Sequence, residues 1–234
     1  MRTVCVTLFA VALATMGMGC TTVQASKDYV SSDTLGFQWD IDESASLFPS
    51  DRALLSDEDI DRILSGSITL PKDARVSLAR IDRRWWSADE ILTERASANE
   101  ALSIIQSADR VREAVLLPRL LIPEDPNVPS IREAAARYQS DMVFIYAVTV
   151  DTMDRYRWTS KDKVRAYSLV DAVLLDIRTG IVPFTNQQIE EFEVVESSAD
   201  FSWSETRARA TSTATRNAVI AATKELAAFM DAQP

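Results

Sequence analysis

The chain has 234 residues, 47 % of them apolar and 26 % charged, with a formal net charge of −10 and no histidine. This is an ordinary globular balance, long enough for one domain with a full core and short for two. The missing histidine excludes Ser-His-Asp and Cys-His catalysis and every His-ligated metal site, and the negative balance leaves no electrostatic footprint for nucleic acid.

Met1 to Gly19 has the layout of a secretory signal: one charge at Arg2, an apolar run from Val4 to Met16, and small residues before Cys20. The run is too short to cross a ~30 Å hydrocarbon core as a helix. Gly17-Met18-Gly19-Cys20 resembles the lipobox of bacterial lipoproteins, with Gly17 where that motif usually has leucine. The resemblance implies that Cys20 is lipidated and begins the mature chain. Cys5 falls in the removed segment, so Cys20 is the one remaining thiol. An exported protein seldom keeps a lone free thiol, and a thioether-linked lipid removes it. Thr21 stands where an aspartate would retain an enterobacterial lipoprotein at the inner membrane, so the expected address is the outer membrane, facing the periplasm. The chain's acidity would repel anionic head groups, which leaves the lipid as the attachment to the membrane.

Residues 20–55 read as a tether, rich in Ser, Thr and Asp without a sustained period. Leu35, Phe37, Trp39, Ile41, Leu47 and Phe48 are more than a linker needs, so part of this stretch is expected to pack on the domain. Residues 56–73 hold a short helix and a connector. Ser56 caps it, Ile60, Ile63 and Leu64 form its buried face, and Gly66 ends it.

An α/β domain is expected over 74–234. Ala74–Ile81 alternates as a strand. Ser87 and Glu90 form a capping box for a helix burying Ile91, Leu92, Ala98, Leu102 and Ile105. Ala114–Ile122 reads as a strand that Pro118 breaks or confines to an edge. Ser130 and Glu133 cap a helix carrying Ile131, Ala134, Ala135 and Tyr138. Met142–Val150 is the densest strand signal, followed by a polar loop over Asp151–Asp162, a strand over Lys163–Ile177, a turn at Thr179-Gly180 and a returning strand over Ile181–Val195. Ser202 and Glu205 cap a long final helix with its stripe at Ala208, Thr211, Thr215, Ala218, Val219, Ala222, Leu226 and Phe229. The order β-α-β-α-β-β-β-α predicts a single α/β (α+β) domain: a mixed sheet with a three-strand antiparallel meander, a long C-terminal helix and helices on at least one face.

Ala134-Ala135-Ala136-Arg137-Tyr138-Gln139-Ser140-Asp141, running into residues 142–148 (MVFIYAV), resembles a recurring unit in which a helix ends in a small-residue–Asp step and feeds a central strand. Leu169-Val170-Asp171 and Leu175-Asp176-Ile177-Arg178-Thr179-Gly180 resemble a strand ending in Asp-x-x-Thr-Gly before a hairpin turn. With the element order, residues 74–230 are similar to the periplasmic lipoprotein superfamily that includes the curli-secretion lipoprotein and the penicillin-binding-protein activator lipoprotein, whose α/β domain is shared with the N-terminal domain of the Tol translocation protein. The resemblance implies an anchored, non-catalytic binding domain. The loop over Asp151–Asp162 is too short for a pair of membrane-spanning strands, which argues against a curli-type pore.

Two clusters suit partner binding, because Tyr, Trp and Arg dominate interface hot spots. Arg155-Tyr156-Arg157-Trp158 is expected at the hairpin tip, and Trp85-Trp86 follows Arg83-Arg84 after the first strand. Either set of aromatics could instead fold back on the core. Asp151 with Asp154, and Asp171 with Asp176, are the carboxylate pairs nearest the sheet. The latter two point to opposite faces, and Asp176 suits backbone donors in its turn. No cofactor, phosphate-loop or metal motif occurs. The reading is an envelope lipoprotein that binds an envelope or periplasmic protein. A self-assembling structural subunit, forming a homo-oligomer, is the alternative, and a carboxylate-dependent hydrolase a distant third.

Overall fold

Apolar runs set the core strands, and the faces they must bury decide where the helices lie. The computed structural model describes residues 56–66, 69–81, 88–123, 126–155, 162–198 and 200–233. The elements are α1 (Asp57–Ser65), β1 (Ala74–Arg80), α2 (Ala88–Gln106), β2 (Val111–Leu116), α3 (Val128–Arg137), β3 (Met142–Arg155), β4 (Lys163–Asp176), β5 (Phe184–Val195) and α4 (Trp203–Asp231). The strands form one mixed α/β sheet in the order β2-β1-β3-β4-β5. β1 pairs in parallel with β2 and β3, and β3-β4-β5 is the antiparallel meander.

The chain leaves β1 toward β2 on one side and returns past β1 to β3 on the other. Crossovers of one hand, run in opposite directions, put their helices on opposite faces. α2 accordingly joins α4 over Val76, Leu78, Phe144 and Val170, while α3 packs Ile131, Ala134 and Ala135 on Ala79, Val143, Ile145 and Leu175. β1 is therefore buried on both faces rather than alternating with solvent.

The register divides the sheet into two halves. β1 pairs with β3 only as far as Tyr146, whereas β3 pairs with β4 along its whole length, from Met142 opposite Asp176 to Arg155 opposite Lys163. The proximal half has helices on both faces. In the distal half the meander runs on alone, and only the α4 face has a described helix on it: Ala210 and Ala214 sit on Val164, Ala166 and Val194. Residues four apart on a helix share a face, and the small series Thr206, Ala210, Ala214, Ala218, Ala222 lets α4 approach the strands closely.

Several expectations need correction. The segment read as a polar loop, Asp151–Asp162, is strand up to Arg155. The stripe of α4 is shifted in its first half, where Thr206, Ala210 and Ala214 are buried and Ala208 is exposed. Asn127, not Ser130, caps α3: its side chain accepts from the Ser130 N–H while the Ser130 hydroxyl accepts from the Asn127 N–H. Ser202 caps α4 without a side-chain bond to the helix, and Glu205 reaches back to the Phe201 N–H. Ser87 lies outside the described residues. Ile60, Leu64, Ile91 and Leu92 are exposed rather than buried. β2 starts earlier than expected and ends at Leu116. Pro118 leads into a 3-10 turn over Arg119–Leu121, which leaves Leu120 98 % exposed. β2 is an edge strand, as the proline suggested.

Candidate functional site

The carboxylates belong to the architecture. Asp176 Oδ1 accepts from the Arg178 N–H at 2.8 Å, and its Oδ2 accepts from the Thr179 hydroxyl at 2.8 Å. Gly180 closes this turn at φ +76°, and a Cβ there would meet the Arg132 guanidinium at 3.1 Å. Asp171 accepts from Gln187 Nε2 across β4 and β5, and Asp151 accepts from the Thr152 N–H. Pairing opposite Tyr167 and Val164 puts Asp151 and Asp154 on opposite faces. No two of these groups converge on one point. Among the described residues no cluster of three or more Asp, Glu, Cys or His could hold a metal ion.

Open α/β sheets bind ligands beyond the carboxyl ends of strands where the crossover direction reverses. Here that point lies between β1 and β3. Arg80 Nη1 sits 2.5 Å from Glu94 Oε2 of α2, and the Tyr146 hydroxyl donates to Glu94 Oε1 at 2.9 Å. Both oxygens of the largely buried Glu94 are engaged, so this cluster ties α2 to the strand ends. A separate groove of about 370 Å³ lies between the 3-10 turn and α3, lined by Leu121, Ile122, Ala134 and Arg137. Its charges, Glu133 and Arg137, pair with each other at 2.6 Å.

Polar ties hold the distal half on its α4 side, among them those of Asp154 and Asp200. Asp154 accepts from Arg207 and from Trp203 Nε1 of α4. Asp200 accepts from the Ser197 N–H (2.9 Å), the Thr206 hydroxyl (2.7 Å) and Arg209 (2.6 Å). The Ser197 amide, then the Thr206 hydroxyl and then Arg209, hold the Asp200 carboxyl below the usual carboxylate range. The opposite face carries a charge ladder. Lys163 meets Glu193 at 2.6 Å, and Arg165 meets Glu191 at 3.0 Å and Glu193 at 3.1 Å. Lys163 first, then Arg165, lower the Glu193 pKa. Hydrogen bonds to Tyr167 and Glu193 raise that of Arg165. The sequence hid these ties, because Asp154 and Arg207 are fifty-three positions apart.

Arg155 is the exposed last residue of β3, opposite Lys163 on the face away from α4. Tyr156, Arg157, Trp158, Trp85, Trp86 and Cys20 lie outside the described residues. In the chain, residues 156–158 come between β3 and β4, and residues 85–86 between β1 and α2. Phe201, at the start of α4, is 98 % exposed. The Glu196 N–H donates to the Asp162 carbonyl, which brings the β5–α4 connection beside the start of β4.

No known protein-family model matches the chain, and no curated protein matches it. Solved structures do. A PelC dodecamer from Paraburkholderia phytofirmans is 13 % identical, with 68 % of this chain and 92 % of that one covered, at a TM-score of 0.32. The lipoprotein GNA1162 from Neisseria meningitidis is 13 % identical over 55 % and 88 % of the two chains, at 0.32. A minor lipoprotein from Acinetobacter baumannii is 9 % identical over 70 % and 94 %, at 0.32. Bacterial lipoproteins thus recur among the similar structures, at a level that carries no argument about function.

Proposed function

We propose that the chain is a bacterial envelope lipoprotein, anchored by lipid at Cys20, whose α/β domain binds a protein partner and catalyses nothing. The observation that carries this reading is the signal-like segment ending at Gly17-Met18-Gly19-Cys20, in a chain that would keep no other thiol. The outer membrane is the proposed address, with the domain facing the periplasm. The proposed kinship is with the superfamily of the curli-secretion and synthase-activator lipoproteins. The partner surface is assigned to the distal half of the sheet, with Arg155, Tyr156, Arg157 and Trp158, and Trp85 and Trp86 form a second contact. Among the described residues no helix is long and apolar enough to cross a membrane.

Membrane fractionation tests the anchor. The unaltered protein should pellet with membranes and Cys20→Ser should not; a Cys20→Ser chain that still pellets contradicts the reading. A second reading is self-assembly. It is favoured by β5, a twelve-residue edge strand, and by the outer side of β3 beyond Tyr146, on which no described strand pairs. Unpaired strand edges template association. Exposed Glu191 and Glu193 on β5 oppose it. Light scattering on the soluble domain decides: a monomer at high concentration removes the second reading. A carboxylate hydrolase is disfavoured, since the candidate acids are separated and each is bonded to its surroundings.

A further inference from the structure

On the face away from α4, the distal strands set Thr149, Asp151 and Met153 of β3 opposite Leu169, Tyr167 and Arg165 of β4. Ile189, Glu191 and Glu193 of β5 complete the same rows. Leu169 stands in the middle of this surface. Its neighbours point the other way, Ser168 to Thr215 of α4 and Val170 into the core under α2 and α4. Leu169 is nevertheless only 2 % exposed, while Ile189, directly across the ladder, is 55 % exposed. Leu169 belongs to none of the hydrophobic clusters formed by described residues. α3 covers the same face further down, over Val143, Ile145 and Leu175. A residue so buried has neighbours on every side, commonly six to twelve of them. Something beyond the described helices therefore lies over Leu169.

We propose that this face is the docking surface of the chain's own segment 35–41, with Leu35, Phe37, Trp39 and Ile41 laid against Leu169, Tyr167 and Met153, short of exposed Ile189. Those four alternate with Gly36, Gln38 and Asp40, and a period of two gives an extended segment one apolar side and one polar side. The chain also arrives on the correct side. The end of α1 lies against the β4–β5 turn, where a Cβ on Gly66 would sit 3.6 Å from Ile181 Cδ1. Val182, next in the chain, packs with the α3-side core. From the turn, Leu169 lies roughly 25 Å up β4 at ~3.4 Å per residue. The stretch between residues 41 and 56 can span up to about 50 Å when extended. The β3–β4 connection is a poorer candidate. Leu169 is roughly 20 Å down the strand from Lys163, and residues 156–161, pinned at both ends, fold back by only about 12 Å.

The docking stands whether or not Cys20 carries lipid. If it does, docking cuts the free tether to residues 21–34 and its r.m.s. reach from roughly 33 Å to roughly 21 Å, holding the domain closer to the membrane.

The test uses the full chain with Cys5→Ser, Cys20→Ser and Leu169→Cys, which leaves one thiol and no lipid. Maleimide should modify residue 169 on the order of 100-fold more slowly in the folded chain than in urea. Adding Phe37→Asp and Trp39→Asp should speed modification by at least about tenfold at unchanged circular dichroism. Trp158→Ala should leave the rate slow. Equal slow rates with and without the two aspartates overturn the proposal, as does acceleration by Trp158→Ala alone. Should Leu169→Cys fail to fold, hydrogen exchange on the unsubstituted chain reads the same claim. Amides of 35–41 should exchange at least about tenfold more slowly than those of 21–34, and equal rates refute it.

Discussion

Phe144 and Asp154 lie on the same face of the same strand, ten positions apart, and do opposite work. Phe144 is buried beneath α2 and α4 and stacks near Tyr146 at 6.5 Å between ring centres. Asp154 takes hydrogen bonds from Arg207 and Trp203 and holds the start of α4. The proximal half of the sheet is stabilised by apolar burial on two faces. The distal half combines a thin core of alanines and valines with a few polar ties. Hydrophobic stabilisation scales with apolar area removed from water, so the distal half has less to lose, and its tip at exposed Arg155 and its β5 edge are left open for recognition.

The comparison breaks first if the proximal core is tolerant. Phe144→Ala should cost about 3–5 kcal/mol through lost burial and an unfilled cavity, read as a fall in the urea midpoint. A cost under about 1 kcal/mol would mean that the core relaxes freely around the gap. Next comes the helix–sheet seam of the distal half. Ala214 is fully buried there, and Ala214→Leu should cost about 1–3 kcal/mol by overpacking, with the damage confined to the distal strands in hydrogen exchange.

A smaller effect distinguishes the polar ties. The folded pKa of Asp200 lies below its ordinary value, which is near 3.9 in an unfolded chain. The ionised form is thus favoured by folding. Its contribution is present above that value and is lost as pH falls through the folded pKa. Asp200→Asn should lower the urea midpoint at neutral pH and flatten its decline below about pH 4. An unchanged acid limb would show that Asp200 is not part of it. The smallest effects belong at the distal tip. Arg155→Ala and Trp158→Ala should each change stability by less than about 0.5 kcal/mol, a Tm shift within about 2 °C. A large loss for Trp158→Ala would mean that the ring packs on the domain and is not offered to a partner.

Much of the proximal half was legible because its signals are local. Residues 142–150 announce a strand, Pro118 an edge, and Asp176 with Gly180 a turn. The distal extension was not, because Asp151-Thr152-Met153-Asp154-Arg155 has the composition of a loop. It is strand because one side faces α4 and the other faces away from it, an arrangement set by partners distant in sequence. The phase of α4 was misread for a related reason. Ala and Thr recur on several sides of it, and only the strands beneath select Thr206, Ala210 and Ala214. Exposed Ile91 and Leu92 show the reverse error, since helical spacing alone puts them on the buried side of α2. Of the candidate site, Asp176 was assigned correctly to its turn, whereas the ties of Asp154 and Asp200 depend on tertiary proximity that spacing does not encode.

The central claim is that the distal half is the working surface and the proximal half its support. Photo-crosslinking in cells tests it, with the photoreactive residue placed at Arg155 in one chain and at exposed Lys224, on the proximal part of α4, in another. Adducts at position 155, to a partner or to a second copy, with none at 224, are the predicted result. Adducts at 224 with none at 155 would contradict the account.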